Sequence, residues 1–583
     1  MIRPKNQDQP RGFVVMSGSL THESLASTPP NYRHNELKIY YHGFIANRTA
    51  LRHERSRLGL PPDDRDSALM AVAYRKWGYD LQAHVLGEYA VVFSDSAQGS
   101  LFATHDGLGI IPLFYARTPQ GIVIASHLED LARTPCASVL DELYIAEYLA
   151  LGEARLDRTP YRDIRRLLPG RSLECKYGAI HELKTWDLGM VPPLVLPGEQ
   201  AYEERLRELL MDGVRTAVPQ GTRAWVELSG GLDSSSVACA AKRSGITDVE
   251  ALSIVFSRTR RADETEWIEA VLEACPMPWH ALDGDDMLPY SELPDYFCPE
   301  PTPLHCESAA FRIRNELLAA HKVDVLLTGL GGDEVFFGYS MAPLYLADLL
   351  RQGSLRWLLH EARQWSLSGR THRSPLYWLV KYAVAPTTRQ VRRSRTVLAP
   401  EVSRAPWITP AVSELARDAE TDYRPVFSAS SVARRGFADA VMTDVRAAQG
   451  IASMAKQFSH RHPLLYRPLV EFMTSIPFQQ QQRPGQARPL QRRALAGLIP
   501  ESVRLRIGKV MWDGPRHAGF QRASTWVQLL TEEPRLVERG MVDANEWRNT
   551  VSRARFGYNA VPLLFDAAAS LEIWLRQPGV PGQ

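Results

Sequence analysis

The sequence predicts an α/β protein in two parts: an α+β portion with much sheet up to about residue 190, then a parallel-sheet α/β portion running from about residue 200 to 583. Three observations predict it. Residues Ala224 to Cys239 read as a short β-strand passing through a tight glycine turn into a helix. From Arg223 to Thr328, strand-like and helix-like segments alternate, the order that builds a parallel sheet with helices on both faces. Between the portions, Gly189 to Glu199 carries Pro192, Pro193, Pro197 and Gly198, which interrupt helix and strand alike and mark a boundary.

Taken in order, Lys38 to Ile45 reads as a strand. Ala68 to Trp77 reads as a helix with Leu69, Val72 and Ala73 on one face. Tyr89–Phe93 and Leu101–Thr104 are strands flanking a Ser/Asp/Gly turn, and Ile110–Tyr115 and Ile122–Ala125 continue the pattern. Helix resumes at about Ala201 to Arg215. Ala224 to Leu228 is short and mostly apolar, as a buried parallel strand requires. Gly230 and Gly231 allow a sharp turn and close approach to a ligand. Asp233 and three serines then open a helix that uses Val237, Ala238 and Ala241 and stops near Gly245. Val249–Phe256 (strand), Asp263–Glu273 (helix), Trp279–Leu282 (strand), Glu307–Ala320 (helix) and Val323–Thr328 (strand) complete the alternation. Ligands in such sheets sit at the carboxyl ends of strands. The Ser229 loop, Ser257 and the Gly329 turn all fall there, so three segments could converge on one nucleotide.

Composition narrows the class. A chain of 583 residues exceeds one core, and 45% hydrophobic with 23% charged residues is ordinary for a soluble globular protein. A net charge of +2 does not point to nucleic acid or to a membrane surface. The six cysteines (Cys136, Cys175, Cys239, Cys275, Cys298 and Cys306) form no Cys-x-x-Cys pair, so neither a zinc site nor a disulfide framework is expected, and a reducing cytoplasm fits. The N-terminus lacks an apolar signal core, and no stretch approaches a membrane span.

The chemistry lies in Ser229-Gly230-Gly231-Leu232-Asp233-Ser234-Ser235. A helix start presents free N–H groups and a positive dipole end, serine hydroxyls add donors, and a carboxylate can hold a metal ion that bridges phosphates. A bare Gly-Gly turn would read as an ordinary serine-capped helix; the whole string at a strand–helix junction reads as an anion cradle. It is no Walker loop, because no Gly-x4-Gly-Lys-Ser/Thr occurs. The string resembles the pyrophosphate loop of the ATP-pyrophosphatase family, which includes the asparagine synthetases and splits ATP between its α and β phosphates. A second motif, Thr328-Gly329-Leu330-Gly331-Gly332-Asp333-Glu334 through Tyr339, resembles the segment that closes that ATP site, and Glu300-Pro301-Thr302-Pro303 also looks family-like. Arg461 to Glu471 and Arg493 to Pro500 resemble the helical half of the synthetase domain and run into Arg504-Leu505-Arg506-Ile507-Gly508-Lys509. The resemblance implies ATP and Mg2+ as cofactors. It implies a cradle of Leu228, Ser229, Gly230, Gly231, Asp233, Ser234, Ser235, Val255, Ser257, Gly329 and Gly331. Asp233 and Asp333 would be metal ligands, and Lys509 would stabilise charge in the transition state.

The front portion resembles the glutaminase-type (Ntn-type) α+β sandwich of asparagine synthetases at Gly43 to Arg48, Asp66, Trp77-Gly78, Leu86 to Ala90, His105 to Gly109, Pro112 to Tyr115 and Ala125-Ser126. Residues 1–190 are thus expected to be a degenerate glutaminase-like domain and 200–583 an ATP-binding, amide-forming domain with an extended helical C-terminal part. The family's nucleophile is a cysteine at the mature N-terminus; here position 2 is Ile2 and the first cysteine is Cys136. Two readings of the domain without that nucleophile stand: a scaffold kept for packing, or a surface reused for binding another protein.

Without glutaminase ammonia, the amine is expected to come from the substrate. Leu330 stands where β-lactam synthetases carry a tyrosine and asparagine synthetases tend to carry an acid. A peptide α-amine, with a pKa of about 7.7–8.0, has little need of a strong base. Ser234-Ser235-Ser236 looks like lasso-peptide cyclases. The resemblance therefore implies a lasso-peptide macrolactam cyclase. It would adenylate an Asp or Glu of a precursor peptide and act with a leader-peptide protease and a leader-recognition protein, without nucleic acid or membrane. Alternatives are a β-lactam synthetase-like or asparagine synthetase-like ligase on a small molecule, and a degenerate synthetase acting as scaffold. The basic run Arg389, Arg392, Arg393 and Arg395 is expected to be a solvated loop, with contact to an acidic peptide as the alternative; Gln479 to Gln482 a polar loop; His280, His305 and His360 core or surface residues.

Overall fold

A computed structural model describes residues 12–17, 29–119, 121–337, 343–368, 373–387, 405–421, 425–429, 431–454, 458–508, 510, 513–558 and 561–581. Its front portion is a sandwich of two antiparallel sheets. Strands β1 (Val14–Ser17), β6 (Phe114–Thr118), β7 (Gly121–Ala125) and β8 (Ile164–Arg166) form one, in the order β1-β7-β6-β8. The other contains β2 (Tyr32–His34), β3 (Leu37–Ile45), β4 (Gly87–Asp95), β5 (Ser100–His105), β9 (Arg171–Lys176) and β10 (Ala179–Lys184), in the order β10-β9-β5-β4-β3-β2. Alternation along the strands sends Val15, Tyr40, Ala90, Val92, Ile122 and Ile124 into the layer between the sheets. The Asp66–Trp77 helix covers the outer face of the larger sheet through Leu69, Met70 and Ala73, which pack with Ile39, Tyr41 and Val91.

The strand expected over Ile110–Tyr115 begins only at Phe114. Asp106 accepts hydrogen bonds from the N–H groups of Ile110 (3.2 Å) and Ile111 (3.3 Å), and Gly109 turns with φ +71°, so that stretch is spent in a turn.

The second portion holds a five-stranded parallel sheet of β11 (Ala224–Glu227), β12 (Val249–Val255), β13 (Trp279–Asp283), β14 (Val325–Leu327) and β15 (Ser459–Arg461), in the order β13-β12-β11-β14-β15. Ala224 and Val226 face the Gly198–Ala217 and Leu232–Arg243 helices, whereas Trp225, fully buried, faces Leu318 of the Ser308–Ala320 helix. Both faces are covered, which is why the central strands β11 (Ala-Trp-Val-Glu) and β14 (Val-Leu-Leu) are mostly apolar. The order reverses at β11, flanked by β12 and β14, so the loops after β11 and β14 diverge from adjacent strand ends.

The remainder is helical. The Pro562–Leu575 helix is buried from Leu564 onward and packs with the Glu142–Leu151 helix and with β1, β6 and β7 of the front portion, joining the two parts through one core. Gln479 to Gln482 departs from the expected loop. Phe478–Gln481 is a helical turn, and buried Gln481 donates its amide to the carbonyls of Ile476 (2.9 Å) and Met473. The Arg389–Arg395 run lies outside the described residues. No helix among the described residues is long and apolar enough to cross a membrane.

Candidate active site

The first glycine turn leaves β11 at Leu228, whose N–H donates to Leu252 O at 2.8 Å and extends the sheet by one residue. Gly230 takes φ +70°, and a Cβ there would lie 2.5 Å from that of Trp267. Ser234, in the first turn of the Leu232–Arg243 helix, folds back on the loop: its hydroxyl accepts the Ser229 N–H at 3.1 Å and meets the Ser229 hydroxyl at 3.0 Å. Helix, turn and hydroxyl thus shape the backbone into a fixed cradle. Ser229 is exposed at its lip, while Ser235 is fully buried beneath. Ser257, just beyond β12, donates its hydroxyl to Asp283 at 2.6 Å, and partly buried Val255 ends that strand.

The second turn leaves β14, and the two turns interlock. A Cβ on Gly329 would stand 2.7 Å from Ser234 N, and one on Gly332 would fall on the Asp233 carboxylate. Gly331 takes φ +97° against Leu465. Leu330 is half-buried and packs against the main core. Gly338 and Tyr339, which end the motif, lie outside the described residues.

Asp233 and Asp333 converge, and the cation they share is the Arg488 guanidinium. Its fork reaches Asp233 Oδ2 at 2.5 Å and Asp333 Oδ1 with the other nitrogen, and Gln491 donates to Asp233 Oδ1 at 2.7 Å. Burial alone would lower the guanidinium pKa, but the two carboxylates outweigh it and hold the group charged. Arg488 sits at φ 54°, ψ 50°, a left-handed backbone directly before Pro489, and its N–H points to the carbonyl of Phe337, itself at φ 56°. Both conformations are sterically costly for non-glycine residues, and the packing around the site maintains them.

Two further acids border this pair. Glu334 follows Asp333, and Asp444 projects from the buried side of the Val432–Ser453 helix, hydrogen-bonded to Glu334. Asp348 fixes that helix by accepting the N–H groups of Val432 (2.7 Å) and Ala433 (3.0 Å). Burial first, then the bond to Glu334 and repulsion from Glu334, Asp333 and Asp233, push the Asp444 carboxyl up to about 10. It therefore holds a proton at neutral pH.

Lys509 lies outside the described residues, but the segment leading to it is anchored at the cradle. Arg506 pairs with Glu264 at 2.7 Å, spreads over Trp267 at 4.7 Å and points to the Gly230 carbonyl at 3.4 Å. Nothing in the sequence singles out Arg488, Gln491 or Asp444, and Glu334 figures only as part of the second motif. The available signal was Arg488-Pro489 opening the Pro489–Ala494 helix with Gln491 two positions further on; for Asp444, one of two acids in its helix with Asp439, there was little signal. His280 pairs with Glu250 at 2.6 Å and stacks on Trp225, and His305 is buried.

Comparison with known proteins follows this layout. Residues 205–576 match the asparagine synthase family model, and residues 20–186 match a glutamine amidotransferase domain. Asparagine synthetase [glutamine-hydrolyzing] 3 of Bacillus subtilis (strain 168) is 21% identical over 88% of this chain and 82% of its own length. Asparagine synthetase [glutamine-hydrolyzing] 1 of the same organism is 23% identical over 90% and 83%. Amidase chyE of Penicillium rubens is 25% identical over 50% of this chain and 45% of its own. With a synthase model covering well over half its length, two interlocked glycine turns at the switch point of a parallel sheet and an amidotransferase-type sandwich in front, the chain belongs to the asparagine synthase family.

Proposed function

We propose that this asparagine synthase-type amide ligase is a lasso-peptide macrolactam cyclase: it adenylates an Asp or Glu side chain of a precursor peptide and closes the ring onto the peptide's own N-terminal amine. The observation that carries the ligase half is the meeting of Asp233 and Asp333 on one cationic group beside the Ser229–Ser235 cradle. Two hard oxygen donors are what magnesium asks of a protein when phosphates supply the rest of its shell. Bound there with ATP, magnesium would offset charge on the departing pyrophosphate. The chain's own part is to seat the phosphates on the loop N–H groups and the Ser229 and Ser234 hydroxyls. Arg506, held at the cradle, together with Lys509, three residues further along the sequence, would oppose the charge that develops at the α-phosphorus. The substrate carboxylate attacks that phosphorus and pyrophosphate leaves; the amine then attacks the acyl carbon, releasing AMP and a proton.

Two features support an internal amine. None of the six cysteines precedes β1; the first is Cys136, so no thiol stands where an amidotransferase domain would need one joined to a free α-amine. Leu330, half-buried against the main core, offers no acid or base to a small amine. A peptide rather than a small molecule is supported by the surface beside the site. Gly485, three residues before Arg488, lies against Ser368 at the end of the Leu355–Leu367 helix. That helix and the consecutive helical segments Pro375–Trp378 and Leu379–Val384 leave Trp357 (64%), Leu359 (60%), Leu376 (66%) and Val380 (53%) open to solvent, with Arg356 and Arg363 also exposed on the first. Such a face suits a long amphipathic substrate. A leader-peptide protease and a leader-recognition protein would expose the peptide's new N-terminus.

The test is incubation of the full chain with ATP, magnesium and the candidate precursor peptide. Mass spectrometry should show loss of one water from the peptide and formation of AMP. Asp233→Ala and Lys509→Ala should each abolish turnover. Cyclisation of a small β-amino acid in place of the peptide would reject the proposal, and absence of ATP/pyrophosphate exchange with any carboxylate would reject ligase activity altogether.

A further inference from the structure

We infer that the front domain, which has no cysteine ahead of β1, is a positioning element of the ligase, holding the second glycine turn through a buried line of hydrogen bonds from Glu88 to Thr328. This rests on the ligase reading above and adds to it a task for the domain that carries no nucleophile.

Glu88 lies in β4 of the front sandwich and is 6% exposed. Its carboxylate accepts the backbone N–H of His462 at 3.4 Å and pairs with the Arg461 guanidinium at 3.4 Å. Arg461 also sits 4.0 Å over the ring of Phe44, from β3 of the same domain. Arg461 ends β15, the edge strand beside β14, and His462 follows it directly. From there the line enters the site. Thr328 donates its N–H to Arg461 O at 3.0 Å, and its hydroxyl lies 2.8 Å from His462 Nδ1. The same hydroxyl oxygen accepts the Leu330 N–H at 3.3 Å, so its own hydrogen is directed at the imidazole. Burial, then the charge of Arg461, lower the His462 pKa to about 3, so the ring is neutral and Nδ1 is available as acceptor.

Thr328 is the last residue before Gly329. The turn it launches has no slack, since Gly329 approaches Ser234 N too closely to carry a Cβ and Gly332 meets the Asp233 carboxylate. A small shift of Thr328 therefore moves one phosphate turn against the other. Packing alone would be served by apolar side chains. A buried carboxylate costs desolvation, and here burial raises its pKa in spite of Arg461, so Glu88 is an expensive residue for a passive interface. Its partners are the two residues that hold Thr328.

The experiment uses the full-length chain with Glu88→Gln, Thr328→Val and the double variant, measuring melting temperature, ATP affinity by calorimetry, and kcat and KM for ATP/pyrophosphate exchange. Each single variant is expected to weaken ATP binding about fivefold or more. The double variant should lose less than the product of the two, because both residues act through one line. Thr328→Ser, which keeps the hydroxyl, should restore affinity. A lowered melting temperature with unchanged ATP affinity, or effects that simply multiply, would overturn the inference. Should Glu88→Gln fail to fold, Glu88→Asp shortens the same contact by one methylene and is judged by the same affinity criterion. Wild-type protein that binds ATP yet adenylates no peptide would defeat the ligase reading alone, because the affinity comparison still reads the coupling.

Discussion

At the scale of single residues, the site is a problem of charge. Asp233, Asp333, Glu334 and Asp444 crowd one partly buried region, and Arg488, itself buried, is the guanidinium that two of them share. Removing one partner of a buried pair leaves the other charge uncompensated, at a cost of about 3–5 kcal/mol. Arg488→Ala should therefore lower stability by an amount of that order as well as abolish adenylation, read by chemical denaturation beside exchange assays. Gly332→Ala is expected to separate the two properties. Its Cβ would fall on the Asp233 carboxylate, so exchange should drop by about 100-fold while the fold survives. Asp444 has a raised folded-state pKa, so the stability it contributes is complete below the ordinary carboxylate range and is lost as pH rises toward about 10. Asp444→Asn removes that loss. The variant's melting temperature relative to wild type should climb steadily from pH 5 to pH 9, and a flat difference would show that the carboxyl is not held protonated.

At the scale of elements, two glycine turns and three helices do the positioning. The Leu232–Arg243 helix presents its N-terminal end and Asp233 together, the Val432–Ser453 helix delivers Asp444, and the Pro489–Ala494 helix starts at strained Arg488. The Leu355–Leu367 helix and its successor extend outward instead, with Leu376, Val380 and Val384 exposed four residues apart. Leu376→Asp with Val380→Asp should raise KM for the peptide about tenfold or more while ATP affinity stays unchanged. Measured peptide KM and ATP affinity that move together would show that this face supports the fold rather than the substrate. Most of these elements were legible. Strand–helix alternation from β11 to β14 appeared within a residue or two of its place, because apolar periodicity and glycine punctuation act over short windows. Ile110–Leu113 did not follow its periodicity: the Asp106 side chain captured the backbone groups a strand would have used.

At the scale of the whole molecule, the front sandwich and the ligase portion share structure rather than touch at a seam. The Pro562–Leu575 helix packs into the sandwich side of one core, and Gln449 and Arg467 of the ligase portion donate to the carbonyls of Gly109 and Gln82 in the front domain, each at 2.6 Å. Residues 200–583 expressed alone would expose Arg461, Arg467 and apolar Pro562–Leu575 surface that is now buried. That fragment should aggregate or melt well below the full chain, and light scattering with calorimetry checks it. A fragment that is monodisperse and as stable as the whole would mean the two portions fold independently.

The sequence by itself determined a strand-rich α+β front followed by a parallel sheet, the two glycine turns at strand ends and the absence of an early cysteine, because each is written in spacing or in a single residue type. Tertiary structure alone decided which charges meet. Arg488 reaches Asp233 across 255 residues and Asp333 across 155, and Glu88 reaches His462 across 374. No local rule operates at such separations: buried ions find their partners only after the apolar layers have packed and brought distant segments into one low-dielectric space.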